Sequence, residues 1–179
     1  MKRSNIEPMP QFFDRYINQV DDEDIIEALE KLLPEKIAKD EITLLDELGD
    51  KRYAEGKWTV KDILQHIIDN ERIQSYRALR FARDDKNSLP GYDEKLYGLM
   101  ANASHRTVSD LLKELQAVRE STIDLFKSFN QEMLQRKGIC YNVTISVLAL
   151  GFVIAGHHIH HFKVIKEKYY PLLNNNKIF

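Results

Sequence analysis

The sequence predicts an all-α protein, a four-helix bundle with short extra helices. Three observations lead to this fold class. Apolar residues recur at helical spacing in four long segments. Glycine and proline are scarce, with seven and five residues among 179, which disfavours a turn-rich β-protein. No stretch alternates strands with helices as a parallel α/β sheet requires, and the length without a low-complexity linker predicts one domain over residues 1–179.

The first two helical segments are separated by a loop at 49–57. The first segment, 22–48, carries apolar residues at helical spacing, and Pro34 should break or kink it. Thr59 and Asp62 have the spacing of a capping box, in which each side chain bonds the other's backbone N–H. We therefore expect the second helix to begin after Thr59 and to run to about Arg83.

The later segments alternate breaks with helical periodicity. In chain order they are a break at 84–94, a short helix at 92–102, a long helix at 108–129, a loop near 129–142 and a last helix at 143–169. Thr107 and Asp110 repeat the cap spacing before the long helix. The loop contains Gly138, and Pro171 should stop the last helix.

Composition excludes several classes of partner. The formal net charge of −2 and the isoelectric point near 6.3 argue against binding to nucleic acid or to an anionic membrane. The longest apolar run, 147–155, is shorter than the ~20 residues that span a bilayer, and the N-terminus lacks an apolar secretory segment. One cysteine precludes an internal disulfide and is typical of a reducing compartment. We expect a cytoplasmic protein with no membrane partner.

Four of the six histidines lie in "HHIHH", residues 157–161, at the end of the most apolar segment. On a helix His161 lies about 40° around the axis from His157, and both fall within the apolar stripe that should face the core. His158 and His160 lie on either side of that stripe. The pattern predicts an inward pair with two histidines at its rim or hydrogen-bonded behind it.

The inward pair fits two interpretations. Residues spaced i, i+4 have Cβ atoms ~5–6 Å apart, so their rings can converge on one metal ion. The same spacing also fits two buried histidines that are hydrogen-bonded within the core. Because neutral rings still need a partner at each nitrogen, a metal satisfies both rings more completely.

His66 is the candidate third ligand. It lies beside the main apolar face of the second helix, on a stripe shared with Asn70 and Arg77, with Asp62 and Asp69 one turn away. Polar and charged groups at these positions are typical of a helix that lines a polar cavity. The alternative is a half-exposed histidine at the boundary of the core.

These motifs together resemble the DinB-like superfamily, and its YfiT-like branch in particular. The resemblance rests on "WTVKDILQH" at 58–66, "LPGYDEKLYGLM" at 89–100 and H-H-x-x-H in the last helix, and covers roughly residues 20–170. It implies a four-helix bundle that binds one divalent metal, usually zinc or nickel, through His66, His157 and His161. In this chain Phe162-Lys163 follows the last histidine, where the family commonly has Gly-Gln.

The resemblance also implies the reaction class. Members are described as metal-dependent hydrolases, and some are S-transferases that join small thiols such as bacillithiol or mycothiol to electrophiles. We therefore expect a metal-dependent hydrolase or thiol transferase acting on small electrophilic or stress-related compounds. The alternative is a metal-binding or stress-response protein without catalysis. Candidates for assisting residues are Asp62, Asp69, Asp93, Arg77 and Tyr92, although each type is also common in surface or packing roles.

The last helix is apolar on its outer side as well, so something must cover that side. Either the N-terminal segment 10–20 or a second subunit could do so. The sequence favours a homodimer, which the resemblance also implies.

Overall fold

A computed structural model describes residues 1–174, and the last five residues of the predicted domain, 175–179, lie outside the described part. The fold is all-α apart from one two-stranded sheet, which confirms the predicted class. The α-helices are α1 (Asp14–Ile17), α2 (Ile25–Lys31), α3 (Lys39–Leu48), α4 (Val60–Ala82), α5 (Glu94–Met100), α6 (Val108–Lys127), α7 (Gln131–Gln135), α8 (Val147–Val164) and α9 (Pro171–Asn174).

Four helices form a closed bundle. Helix α4 packs against α6 and α8, and α2 packs against the same two helices from the other side. Pro34 begins a 3₁₀ turn, Pro34–Lys36, that separates α2 from α3, as the sequence predicts for a proline within a helical segment. Helix α3 then continues along α6 and reaches α9.

The predicted helix starts at Thr59 and Thr107 are confirmed. The Thr59 hydroxyl accepts a hydrogen bond from the Asp62 N–H at 3.1 Å, and the Asp62 carboxylate accepts one from the Thr59 N–H at 2.8 Å. The Thr107 hydroxyl accepts a hydrogen bond from the Asp110 N–H at 3.0 Å. Both caps satisfy backbone donors that a helix start otherwise leaves unpaired.

The predicted loop at 129–142 is wrong, as is the start of the last helix. Helix α7 lies in that segment, and an antiparallel hairpin of β1 (Lys137–Cys140) and β2 (Val143–Ser146) follows it. Tyr141 and Asn142 both have positive φ, 51° and 60°, so they form the two-residue turn whose twist suits a hairpin. The β-branched run in β2 favours a strand over the first turn of a helix. Helix α8 begins only after Ser146, whose hydroxyl caps it.

The outer side of α8 is covered by this chain. Helix α1 packs on α8, and a Cβ placed on Gly156 would lie 2.0 Å from the backbone oxygen of Tyr16. Glycine is therefore required where the two backbones meet. Segment 10–20 of this chain therefore covers the apolar face of α8. This was the alternative to covering by a second subunit. A homodimer remains a prediction, and the apolar face of α8 no longer supports it.

Buried polar side chains of α4 separate two hydrophobic clusters. One cluster contains Ala78 and Phe81 of α4 together with α1, α2 and the first half of α8. The other contains Leu64 and Ile67 of α4 together with residues of α3 and α6. Between them along α4 lie four buried polar residues, namely Asn70, Glu71, Gln74 and Arg77. This polar layer must find partners inside the protein or in a ligand.

Arg119 of α6 supplies one such partner. It is fully buried, and its Nε and Nη2 atoms donate to the Glu71 carboxylate at 2.8 and 2.9 Å. Its Nη1 atom reaches the backbone carbonyls of Leu29 and Leu32 at the end of α2, at 3.4 and 3.3 Å. This one guanidinium therefore ties α2, α4 and α6 together.

Within residues 1–174, no helix is both long enough and apolar enough to cross a membrane.

We predict that Arg119→Met lowers the free energy of unfolding by about 3–5 kcal/mol, because it leaves the Glu71 carboxylate buried without a partner. Urea denaturation followed by circular dichroism measures the change. The double variant Glu71→Leu/Arg119→Met should recover most of this loss. Lys127→Met, which removes an exposed pair with Glu30, is the matched control and should cost less than about 1 kcal/mol. Equal losses for the single and double variants would contradict the assignment.

Candidate metal centre

Helices α4 and α8 bring three histidines together. His66 lies in the second turn of α4, and His157 and His161 lie one turn apart near the end of α8. In the described part of the chain, these three side chains form a group that could hold a metal ion. One nitrogen atom from each ring lies within 4.8 Å of the corresponding atoms of the other two. The inward orientation predicted for His157 and His161 is confirmed, and His66 meets them from the facing helix.

The nitrogen atoms that converge are all Nε2. The Nε2 atom of His157 lies 2.9 Å from that of His66 and 3.1 Å from that of His161. Neighbouring aromatic rings hold the imidazoles in place, since Trp58 packs on His66 at a centroid distance of 4.7 Å and Tyr16 meets His157 edge-on at 5.1 Å. The rings are thus oriented by packing as well as by the helices.

This arrangement fits a metal ion better than it fits a hydrogen-bonded cluster. A ring nitrogen of a neutral imidazole carries either one hydrogen or one lone pair. The Nε2 atom of His157 therefore cannot make linear hydrogen bonds to both of its neighbours. Tetrahedral ligands at ~2.0–2.1 Å from an ion lie roughly 3.3–3.4 Å apart, close to the separations between these nitrogens. Of the two interpretations that the sequence left open, this geometry fits the metal site better.

Burial keeps the cluster neutral. Burial lowers the pKa of His66 to about 4. The pKa of His161 falls to about 3, first through burial and then through the neighbouring His66. Burial, followed by the neighbouring His161 and His66, holds the pKa of His157 well below its ordinary value. Neutral imidazole is the form that binds a metal, so near pH 7 the ligands need lose no proton.

The two flanking histidines have different surroundings. His158 is buried, with its Nδ1 atom 3.5 Å from Nη2 of Arg119 and its ring stacked on Phe162. It contacts the buried ion pair of Arg119 and Glu71 and is not part of the three-histidine cluster. His160 is half-buried, and its Nδ1 atom lies 3.4 Å from Nε2 of Gln19. Its ring meets His161 edge-on at 5.0 Å, which places it at the rim of the cluster.

A cleft of about 930 Å³ opens over the cluster, and His160 and His161 are among its lining residues. Other side chains in its wall are Trp58, Glu94 and Tyr169. The Tyr169 hydroxyl donates to the Trp58 carbonyl, which fastens the π-helical turn after α8, Ile165–Tyr169, to the start of α4. A ligand in this cleft can therefore reach the exposed side of the cluster.

Sequence reasoning missed Glu94, Trp58 and Tyr16. Asp93 stood out in the acidic pair at 93–94, but its carboxylate caps α5 by accepting hydrogen bonds from the N–H groups of Lys95 and Leu96. Glu94 instead lines the cleft. Acidic type alone does not reveal which of two neighbours caps a helix. The position of Trp58, directly before the Thr59 cap of the helix that carries His66, could have placed it near the cluster. Nothing in the sequence around Tyr16 indicates that it lies there.

The other candidates are not gathered at the cluster. The Asp62 carboxylate lines the cleft but is committed to the cap of α4. Asp69 accepts a hydrogen bond from Gln65 at 2.9 Å. Among residues 1–174 neither carboxylate is hydrogen-bonded to an imidazole of the cluster, so the structure gives no support for an assisting role of either at His66.

Asn70 and Arg77 lie further along α4, and Tyr92 lies in the loop before α5. Asn70 donates to the Tyr92 hydroxyl at 2.8 Å, and its Oδ1 atom is the one buried side-chain acceptor of the described chain that lacks a hydrogen bond. Tyr92, Arg77 and Asp93 line a second cavity, next to the cleft. The sequence predicts that the polar stripe of α4 lines one cavity. In the structure this stripe contributes to two cavities.

The chain matches the DinB superfamily over residues 41–165, and it belongs to that family. A protein of Oceanobacillus iheyensis named "Putative metal-dependent hydrolase" is 27% identical over 126 residues, which cover 69% of this chain and 72% of that protein. YfiT of Bacillus subtilis, with the same description, is 23% identical over 149 residues, covering 80% and 83%.

A solved structure of Bacillus subtilis YfiT shares the fold. It aligns with a TM-score of 0.63 at 19% identity over 89% of this chain and 87% of that chain. It is described as a probable metal-dependent hydrolase with an unusual four-helix bundle topology.

We predict that protein purified without a histidine tag carries one divalent ion per chain. The three imidazoles can supply three ligands of a tetrahedral ion and leave the fourth position open. His66→Ala and His157→Ala should each reduce the metal content at least tenfold, as measured by inductively coupled plasma mass spectrometry. His105→Ala, at an exposed histidine outside the cluster, is the matched control and should retain the metal. Metal-free wild-type protein, or unchanged metal content in both cluster variants, would contradict the site.

Proposed function

We propose that this protein is a metal-dependent hydrolase of small molecules, with one ion held by His66, His157 and His161. The observation that carries the proposal is the convergence of three neutral Nε2 atoms below an open cleft. The names of its relatives support the same reaction class. Imidazole ligands suit both zinc and nickel, so either ion is compatible with the site.

Three neutral ligands leave a bound divalent ion its full charge, so it would polarise a carbonyl and acidify a bound water or thiol. Trp58 and Tyr16 fix the orientation of the ligand rings from either side. These groups would keep the ligand geometry constant while a substrate enters and leaves.

Glu94 is the proton carrier that the cleft offers. It is half-buried, and burial raises the pKa of its carboxyl, an effect that the charge of Arg15 partly offsets. A raised pKa brings a carboxyl nearer to the operating range of a general base or acid. We assign Glu94 the role of taking a proton from the attacking group and giving it to the leaving group. His160, at the rim, would hydrogen-bond the substrate.

Thiol transfer is the second reaction that the resemblance implies, and it would use the same cleft. The thiol would come from a substrate, because Cys140 is buried and burial raises the pKa of its thiol. No feature of the described cleft favours thiol transfer over hydrolysis, so we place hydrolysis first.

The function is tested with metal-loaded protein and a panel of chromogenic esters, amides and lactams, alongside thiols offered with chlorodinitrobenzene. We expect turnover of at least one hydrolytic substrate that disappears on chelation and returns with zinc or nickel. Turnover only with a thiol would replace hydrolysis by S-transfer. Metal-loaded protein that is inert with every substrate would instead favour a binding protein without catalysis.

Glu94→Gln should lower kcat for the substrate found in that panel by about 100-fold or more, because the amide cannot exchange the proton. Its metal content should stay unchanged, since Glu94 is not among the three ligands. Glu120→Gln, on the exposed side of α6, is the control and should retain full activity. A kcat within a factor of three of the wild type would remove Glu94 from the mechanism.

A further inference from the structure

Arg77 is a buried cation without an internal counter-charge. Its side chain is 4% exposed, and it donates to the Pro90 carbonyl at 2.8 Å and to the Gln74 side-chain oxygen at 3.2 Å. Those bonds use two of the five N–H donors of a guanidinium. Over the described residues, 1–174, no carboxylate lies within ion-pair distance of it.

Arg119 provides an internal comparison. The same residue type, equally buried on the neighbouring long helix, has a carboxylate gripped by two hydrogen bonds. Burying an unpaired charge is costly, and proteins offset that cost with a partner of opposite charge. The fold supplies such a partner to Arg119 and supplies only neutral acceptors to Arg77. The remaining donors of Arg77 are therefore available to an anion from outside.

Arg77 lines a cavity of about 340 Å³, which is within the ~300–1,000 Å³ range of small-molecule pockets. The cavity lies between α4, the loop that precedes α5, and the hairpin turn. Backbone hydrogen bonds join Leu89 to Ile139 and Tyr141, so the hairpin holds that loop in place. The pocket is thus built from tied elements.

Aromatic rings form the mouth of this cavity. Phe12 and Tyr141 are 43% and 56% exposed, and their ring centroids lie 5.6 Å apart. Both residues have positive φ, 71° and 51°, a conformation that is uncommon for large side chains. A Cβ placed on Gly91 would lie 2.4 Å from the Tyr141 ring, so the glycine lets that ring close the wall. The hairpin turn accounts for the positive φ of Tyr141, whereas Phe12 lies outside the hairpin, and strained backbone that holds an exposed ring at a pocket is typical of a ligand site.

The other charges at the cavity do not neutralise Arg77. Asp93 caps α5, and Glu94 is half-buried, with burial raising the pKa of its carboxyl. Lys95 adds a further positive charge to the wall. The Tyr92 ring lies 6.0 Å from the guanidinium carbon and offers a neutral face. An anion that enters here meets the two cations and an aromatic surface, and the carboxylates of Asp93 and Glu94, which also line the cavity, are not within ion-pair distance of Arg77.

We propose that this cavity is a second binding site, which takes the carboxylate of a small molecule with an aromatic or apolar body. Arg77 binds the carboxylate, and Phe12, Tyr92 and Tyr141 contact the body. The site is separate from the three histidines and does not depend on the ion, although both cavities share Glu94 and Lys95 in their walls.

The test is a titration of the full chain with benzoate, phenylacetate and 3-phenylpropionate, followed by ¹H–¹⁵N correlation spectra. We expect saturable shifts at Gln74, Tyr92 and Tyr141 for at least one of the three acids. The matching neutral amide should bind at least tenfold more weakly, a comparison that needs no variant. The shifts should persist in chelator-treated protein, which separates this site from a carboxylate bound to a metal ion.

Arg77→Gln should weaken binding of that acid at least tenfold. Arg80→Gln is the matched control, because Arg80 lies on the same helix but is paired with Asp85 at the surface, and it should bind as the wild type does. Absence of saturable shifts with all three acids would overturn the proposal. So would equal binding of acid and amide, or shifts that vanish with the metal.

Discussion

The contact between α4 and α8 is the constraint on which the rest of the structure depends. It must hold three imidazoles with Nε2 of His157 2.9 and 3.1 Å from those of His66 and His161, and residues 1–174 give these atoms no other hydrogen-bond partner. Buried polar groups without partners cost roughly 1–3 kcal/mol each, so the cluster is unfavourable unless a ligand satisfies it. The hydrophobic clusters on either side and the Arg119–Glu71 pair supply the rigidity that keeps the helices at this spacing.

The polar stripe of α4 explains how one helix serves two cavities. His66 faces α8, Glu71 faces Arg119, and Arg77 faces the pocket behind the loop before α5. Each position has partners of a different kind, namely other imidazoles for His66, an ion pair for Glu71 and neutral acceptors for Arg77. Buried polar groups divided in this manner combine a structural ion pair with binding sites along one helix.

Periodicity predicted the parts of this protein that depend on single helices. The caps at Thr59 and Thr107, the break at Pro34 and the inward pair in α8 all follow from local spacing along one helix. The hairpin was missed because its strands have only four residues each and its turn is Tyr-Asn, without the usual glycine. Glu94, Tyr16 and the isolation of Arg77 depend on which elements meet in space, and spacing along the chain carries no such information.

The central claim is that three imidazoles of this chain share one ion. X-ray absorption spectroscopy at the metal edge of untagged, metal-loaded protein tests it most directly. We expect a first shell that fits three imidazole nitrogens plus light atoms, at ~2.0–2.1 Å for zinc, with the outer-shell scattering of the rings. A shell with fewer than three imidazoles, or one that contains sulfur, would contradict it.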